Sequence, residues 1–244
     1  MRPIYGRRRT TAMKNGYKKY FLSVSCKLFP SSCLQIGGDA HSKRTNSRHK
    51  HTPSLLLAHI VKTWRGVLMT KEGFTLWFTG LSGAGKTTIA KLVEFLLQDK
   101  MKVRVQLLDG DLLREVINQD LGFSREDRMK QIKRAVFMTR LLNQNGVHVL
   151  ASFITPYEEM REYCCSHIPN YHEVFVDCSL EECIQRDVKG LYKKAIAGQI
   201  NQFTGISDPF EIPLEPDLIL DTVTELPEES AEKVLSYILD KQLI

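Results

Sequence analysis

Phe74-Thr-Leu-Trp-Phe-Thr-Gly-Leu-Ser-Gly-Ala-Gly-Lys-Thr87 is the stretch whose reading decides the fold. Its first six residues form an apolar, β-favouring run that stops at a glycine, as a buried parallel strand does. Gly80, Leu81, Ser82, Gly83, Ala84, Gly85, Lys86 and Thr87 then satisfy the phosphate-loop pattern G-x-x-x-x-G-K-[ST]. The glycines let the backbone curl so that successive N–H groups face phosphate oxygens. The N-terminus of the following helix adds partial positive charge. Lys86 is expected to bridge the terminal phosphates, and the Thr87 hydroxyl to ligate Mg²⁺. A glycine-rich turn is the plainer reading, and the placement between strand and helix counts against it. The motif says nucleotide binding without saying which reaction.

Outward from this loop the pattern alternates strand and helix. A helix is expected from Lys86 to about Gln98, with Ile89, Leu92, Val93 and Leu96 on one face. Strands are expected at Val103–Leu108, Val147–Phe153, His172–Val176 and Leu218–Leu220. Helices are expected from about Arg125 to Asn145, closed by Gly146, and from Pro227 to Lys241. Such alternation predicts an α/β fold, a P-loop-type parallel β-sheet flanked by helices. The second strand ends in Asp109-Gly-Asp111, where a carboxylate would face the ligand crevice. Asp-Gly also favours a simple turn. Ser124 with Asp127 reads as a capping box that opens the long helix.

Charge divides the 244-residue chain. Residues 1–68 hold 14 Lys/Arg and one acid, Asp39, a net of +13; residues 69–244 hold 20 Lys/Arg and 27 acids, a net of −7. The larger region is therefore expected to offer no nucleic-acid groove. No run of 18 apolar residues is present, Leu55–Val61 being too short, so no membrane span is expected. The six cysteines form no C-x-x-C pair and read as reduced thiols. Residues 1–68 have three competing readings: a transit peptide, an arm for an anionic partner, or sequence upstream of a true start at Met69. The third is preferred, because the recognisable domain begins close to Met69. Residues 69–244 are then the P-loop domain, with the cytoplasm as the default location, or an organelle if the basic segment is a transit peptide.

Further motifs carry a family resemblance. They are Trp77–Thr88, Leu107-Leu-Asp-Gly-Asp111, Leu121-Gly-Phe-Ser-Arg-Glu-Asp-Arg128 and Ser152-Phe-Ile-Thr-Pro-Tyr157. They continue with Gln185-Arg-Asp-Val-Lys-Gly-Leu-Tyr-Lys-Lys-Ala195 and Phe203-Thr-Gly-Ile206. In this order the segments, from about Gly73 to Thr222, closely resemble the adenylylsulfate kinase family. The resemblance implies transfer of the ATP γ-phosphate to the 3′-hydroxyl of adenylyl sulfate, with Mg²⁺. It implies that Asp111 is the base or orienting group, with Lys86 and Thr155 beside it in the catalytic set. Arg114 and Arg128 would bind the phosphosulfate, and Phe123 and Phe203 would clamp the adenine. Gln131, Ile154, Lys193, Thr204 and Gly205 would also line the acceptor site, and Thr88 and Arg186 the nucleotide site. The Arg186–Ala195 segment, with Lys189, Lys193 and Lys194, would close as a lid; a basic surface helix is the plainer reading.

Three positions depart from the family pattern. Gln131 stands for an asparagine, Ile196 for a lid arginine, and Thr155 for a serine treated in the family as phosphorylatable. The resemblance also implies a homodimer and a functional link to an ATP sulfurylase. Two rival readings stay open: a P-loop kinase for another hydroxylated metabolite, and a catalytically altered nucleotide-binding protein.

Overall fold

The computed structural model describes residues 72–244, so the expectations for residues 1–68 lie outside the described residues. Five strands make one sheet: β1 (Thr75–Thr79), β2 (Val105–Asp109), β3 (His148–Ser152), β4 (Tyr171–Asp177) and β5 (Leu218–Asp221). Their order is β2-β3-β1-β4-β5, and all four pairings are parallel. Parallel neighbours cannot be joined by hairpins, so helices carry the chain back. They are α1 (Lys86–Phe95), α2 (Gly110–Val116), α3 (Arg125–Gln144), α4 (Glu158–His167), α5 (Leu180–Arg186), α6 (Leu191–Ile196) and α7 (Pro227–Asp240).

The period-two alternation of strand side chains sorts the core into two layers. Leu76, Phe78, Leu150, Val174, Val176 and Leu220 cluster with Ile89, Ala90 and Val93 of α1 and Ala231, Val234 and Ile238 of α7. Trp77, Val149 and Ala151 point the other way and cluster with Ile132, Ala135 and Val136 of α3 and Met160 and Cys164 of α4. Every residue of β1 is buried, as the central strand of a sheet covered on both faces must be.

The α/β expectation and its five strands are met, with shifts at element ends that have local causes. The expected strand start at Val103 moves to Val105 because the Val103 amide donates to the Leu97 carbonyl at 2.9 Å. That bond closes a π-helical turn, Leu96–Lys100, at the end of α1. Ser124 accepts from the Asp127 amide at 3.1 Å, as the capping reading requires. The return arm, however, runs from the Gly122 amide to Asp127 Oδ2. Gly146, at φ 68°, ends α3 by donating to the Asn143 carbonyl. Three helices, α2, α4 and α5, were not expected. For α5 the signal was present: Ser179 caps it by accepting from the Glu182 amide.

The fold positions its loop at the C-terminal edge of the sheet. Gly80, at φ 146°, leaves β1 so close to β4 that an added Cβ would lie 2.5 Å from the Val176 carbonyl oxygen. Both the dihedral and the approach demand glycine. Gly80→Ala is therefore expected to lower unfolding stability by about 2 kcal/mol or more. Chemical denaturation checks this; a wild-type midpoint would show that β1 and β4 part freely there.

Candidate active site

The loop from Gly80 to Gly85 brings Lys86 back over its own start. Lys86 Nζ donates to the Leu81 carbonyl at 2.6 Å, and the side chain is buried. Burial pushes its pKa down to about 8, opposed first by the charge of Asp111. The Ser82 carbonyl accepts from the Tyr192 hydroxyl of α6 at 2.9 Å, and the Ala84 carbonyl from the Thr222 hydroxyl after β5, also at 2.9 Å. The loop is thus braced by the end of β5 and by α6. Thr88 is exposed at its rim.

Thr87 Oγ1 donates to Asp109 Oδ2 at 2.7 Å and lies 3.0 Å from Ser152 Oγ. Asp109 Oδ1 accepts from the amides of Asp111 and Leu112, capping α2. The Asp-Gly expected as either a turn or a functional site is therefore a helix start. The hydroxyl and carboxylate are hard oxygen donors suited to Mg²⁺. No cluster of three or more His, Cys, Asp or Glu is present among the described residues. Such a sparse donor set fits a cation that keeps water and phosphate oxygens as its other ligands.

Asp111 is well exposed and pairs with Lys189, from the turn between α5 and α6. Lys189 was named only among several lid lysines; the structure singles it out. Lys193 uses its backbone amide to bond Asp187 Oδ2, and its side chain is exposed. Arg186 donates to Glu182 at 2.8 Å and to the Thr222 carbonyl at 2.6 Å, tying the lid's base to the β5 edge. Ile196 ends α6 with 60% of its surface exposed and brings no charge there.

Of the expected acceptor residues, Arg114, Phe123 and Arg128 come together. The Arg114 guanidinium lies 4.4 Å from the Phe123 ring centroid, and that of Arg128 5.7 Å. Arg114 also donates to the Gly122 carbonyl at 2.8 Å. Arg128 donates to the carbonyls of Phe123 and Gln202, so the Phe123 segment and the Phe203 segment share one guanidinium. Burial lowers the pKa of both arginines. Phe123 is about half exposed. Phe203 packs edge-to-face on Tyr192 at 4.9 Å. Thr204 is buried, and an added Cβ on Gly205 would meet Leu180 and Leu81. A cavity of about 600 Å³, lined by Leu81, Phe175, Leu180, Gly205 and Phe210 among others, lies along the β4 side of this loop rather than over Lys86.

An adenylylsulphate kinase family model matches residues 72–221. The chain belongs to that family. A probable adenylyl-sulfate kinase of Pseudomonas aeruginosa is 53% identical over 168 residues, covering 69% of this chain and 78% of that protein. The adenylyl-sulfate kinase of Halothermothrix orenii is 51% identical over 177 residues, covering 72% and 95%. The Mycobacterium tuberculosis APS kinase, solved in complex with AMPPNP and APS, aligns with TM-score 0.66 at 42% identity, over 69% of this chain and 98% of that one.

Within this adenylylsulfate kinase fold the departing residues have definite places. Gln131 is buried and donates to the Gly110 carbonyl at 3.0 Å, so its longer side chain supports the backbone between Asp109 and Asp111. Thr155, at φ 47° and 2% exposed, accepts from Trp77 Nε1 at 2.9 Å. That bond uses one lone pair of the hydroxyl and leaves its proton to be donated elsewhere. The Ile154 carbonyl accepts from Thr79 Oγ1 at 2.8 Å and from the Gly80 amide at 3.4 Å, fixing the loop's entry. Tyr157 and Asp208, which bond each other here, were missing from the expected site.

The low Lys86 pKa sets a pH dependence. Polyphosphate favours the ammonium form, so binding above the free-state pKa of about 8 must take up a proton. ATP affinity should hold at lower pH and fall by up to about tenfold per unit above pH 8. Calorimetric titration in buffers of different ionisation enthalpy checks this; a flat profile without proton uptake contradicts it.

Proposed function

We propose that the chain transfers the γ-phosphate of ATP to the 3′-hydroxyl of adenylyl sulfate, giving 3′-phosphoadenylyl sulfate and ADP. The observation that carries this reading is the position of Asp111. It stands one residue into α2, where its carboxylate is the first charge opposing the burial of Lys86 and the partner of Lys189. A carboxylate there faces both the phosphate loop and the residues expected to hold the acceptor.

The chemistry follows from these placements. The loop amides and Lys86 would hold the ATP phosphates, with Tyr192 and Thr222 keeping the loop curled. Mg²⁺, held through Thr87 and Asp109, would offset charge on the phosphate oxygens. Phe123 and Phe203 would grip the adenine by its faces, which suits a flat base whatever its edge. Arg114 and Arg128 would meet the anionic phosphosulfate. Asp111 would accept or polarise the 3′-hydroxyl proton, aiming the oxygen at the γ-phosphorus in line. Lys189 pairs with that carboxylate and would pass to the phosphates as the lid closes. Closure would keep water from the transferring group.

This reading includes a homodimer in solution and an adenylyl-transferring enzyme, an ATP sulfurylase, as the source of the acceptor. A second reading rests on Ile196, which leaves the end of the lid helix uncharged: a kinase whose lid closes weakly and leaks ATP hydrolysis.

Chromatography of products from Mg·ATP with and without adenylyl sulfate tests the proposal. Stimulated ADP release with a 3′-phosphorylated product is expected; ADP release indifferent to adenylyl sulfate contradicts it. Asp111→Asn should lower turnover by about 10²- to 10⁴-fold while ATP affinity stays within about twofold. A variant with the wild-type rate removes Asp111 from its role.

A further inference from the structure

Asp208 belongs to the turn that carries Phe203. The Phe203 carbonyl accepts from the amides of Ile206, Ser207 and Asp208 at 3.0, 3.0 and 3.1 Å. The Gly205 amide donates back to the Asp208 carbonyl at 2.7 Å, and Thr204 bridges to Asp208. The backbone of Asp208 therefore sets where Phe203 stands.

Its side chain faces the other half of the expected clamp. The Tyr157 hydroxyl lies 2.7 Å from both carboxylate oxygens. A phenol has one proton, so it serves one oxygen at a time and leaves the other for a cation. That cation is Arg128, whose Nε lies 3.8 Å from Asp208 Oδ2, the side chains being 8% and 17% exposed. Arg128 Nε and Nη2 in turn hold the carbonyls of Phe123 and Gln202 at 2.9 and 2.7 Å. One carboxylate thus reaches Phe203 through its own backbone and Phe123 through Arg128. Tyr157 is itself fixed, since the Arg125 guanidinium covers its ring at 4.5 Å.

The geometry points to Asp208, held by Tyr157, as a positioning residue that sets the Phe123–Phe203 gap and aims Arg128 at the anionic end of the acceptor. This rests on the adenylyl sulfate reading, and Asp208 acts through Arg128 and the Phe203 turn without touching the reacting atoms. A buried guanidinium without an anion is strongly disfavoured. Burial lowers the pKa of Arg128 and Asp208 opposes this first among its neighbours, so the buried cation keeps an anion that directs it. Burial and then Asp208 push the Tyr157 phenol up to about 12, which keeps its proton available as a donor at working pH.

Initial rates of the full chain, with each substrate varied separately, test this on D208N, D208E and Y157F. D208N keeps the shape and removes the charge. It should raise KM for adenylyl sulfate about tenfold or more while KM for ATP stays within about twofold. Y157F keeps the ring under Arg125 and should move the same constant by about three- to tenfold. D208E, which restores the charge, should recover part of the loss. An unchanged acceptor KM in D208N and Y157F overturns the role, as does an equal rise in both KM values, which reports loosened packing. If D208N fails to fold, Y157F alone decides. A wild-type protein indifferent to adenylyl sulfate overturns the acceptor reading and this role together, whereas a stimulated wild type with unchanged variants overturns this role alone.

Discussion

The carboxylate of Asp109 joins the two sides of the candidate site. One oxygen accepts from the amides of Asp111 and Leu112 at the start of α2; the other accepts the Thr87 hydroxyl at the start of α1. The helix that presents the phosphate loop and the helix that presents Asp111 are therefore fixed to each other by one side chain at the end of β2. A charged acceptor at a helix N-terminus also meets the partial positive charge of the peptide dipoles. Gln131 from α3 adds a second brace by donating to the Gly110 carbonyl. The parallel sheet makes this possible, because it brings the ends of β1, β2 and β3 to one edge.

The α5–α6 segment belongs to the same edge. The hydroxyl of Tyr192 reaches the Ser82 carbonyl, its ring supports Phe203, and Arg186 anchors to the Thr222 carbonyl. Phosphate loop, Phe203 turn and the α5–α6 segment therefore share side chains. The absence of an arginine at Ile196 removes charge from the end of this segment, while Lys189 stays in place against Asp111.

Much of this was legible in the residues. The β1 strand, the loop and α1 followed from Phe74–Thr87, because apolar runs and glycine spacing are local signals. The long α3 was marked by Ser124 at one end and Gly146 at the other. The short α2 was not legible, because Asp109-Gly-Asp111 reads equally as a turn until the capping bonds are seen. The α5 cap at Ser179 and Glu182 was legible and overlooked. Tyr157 with Asp208 was out of reach, since 51 residues separate the partners and only the fold brings them together. The bond from the Trp77 indole to Thr155, 78 residues later, was out of reach for the same reason.

The proposed reaction is a single direct, in-line transfer of the phosphoryl group from the loop to a hydroxyl aimed by Asp111. A γ-phosphate made chiral with oxygen isotopes reports the number of displacements. Inversion at phosphorus in the 3′-phosphorylated product is expected. Retention would mean two displacements through a phosphorylated side chain and would contradict a single transfer.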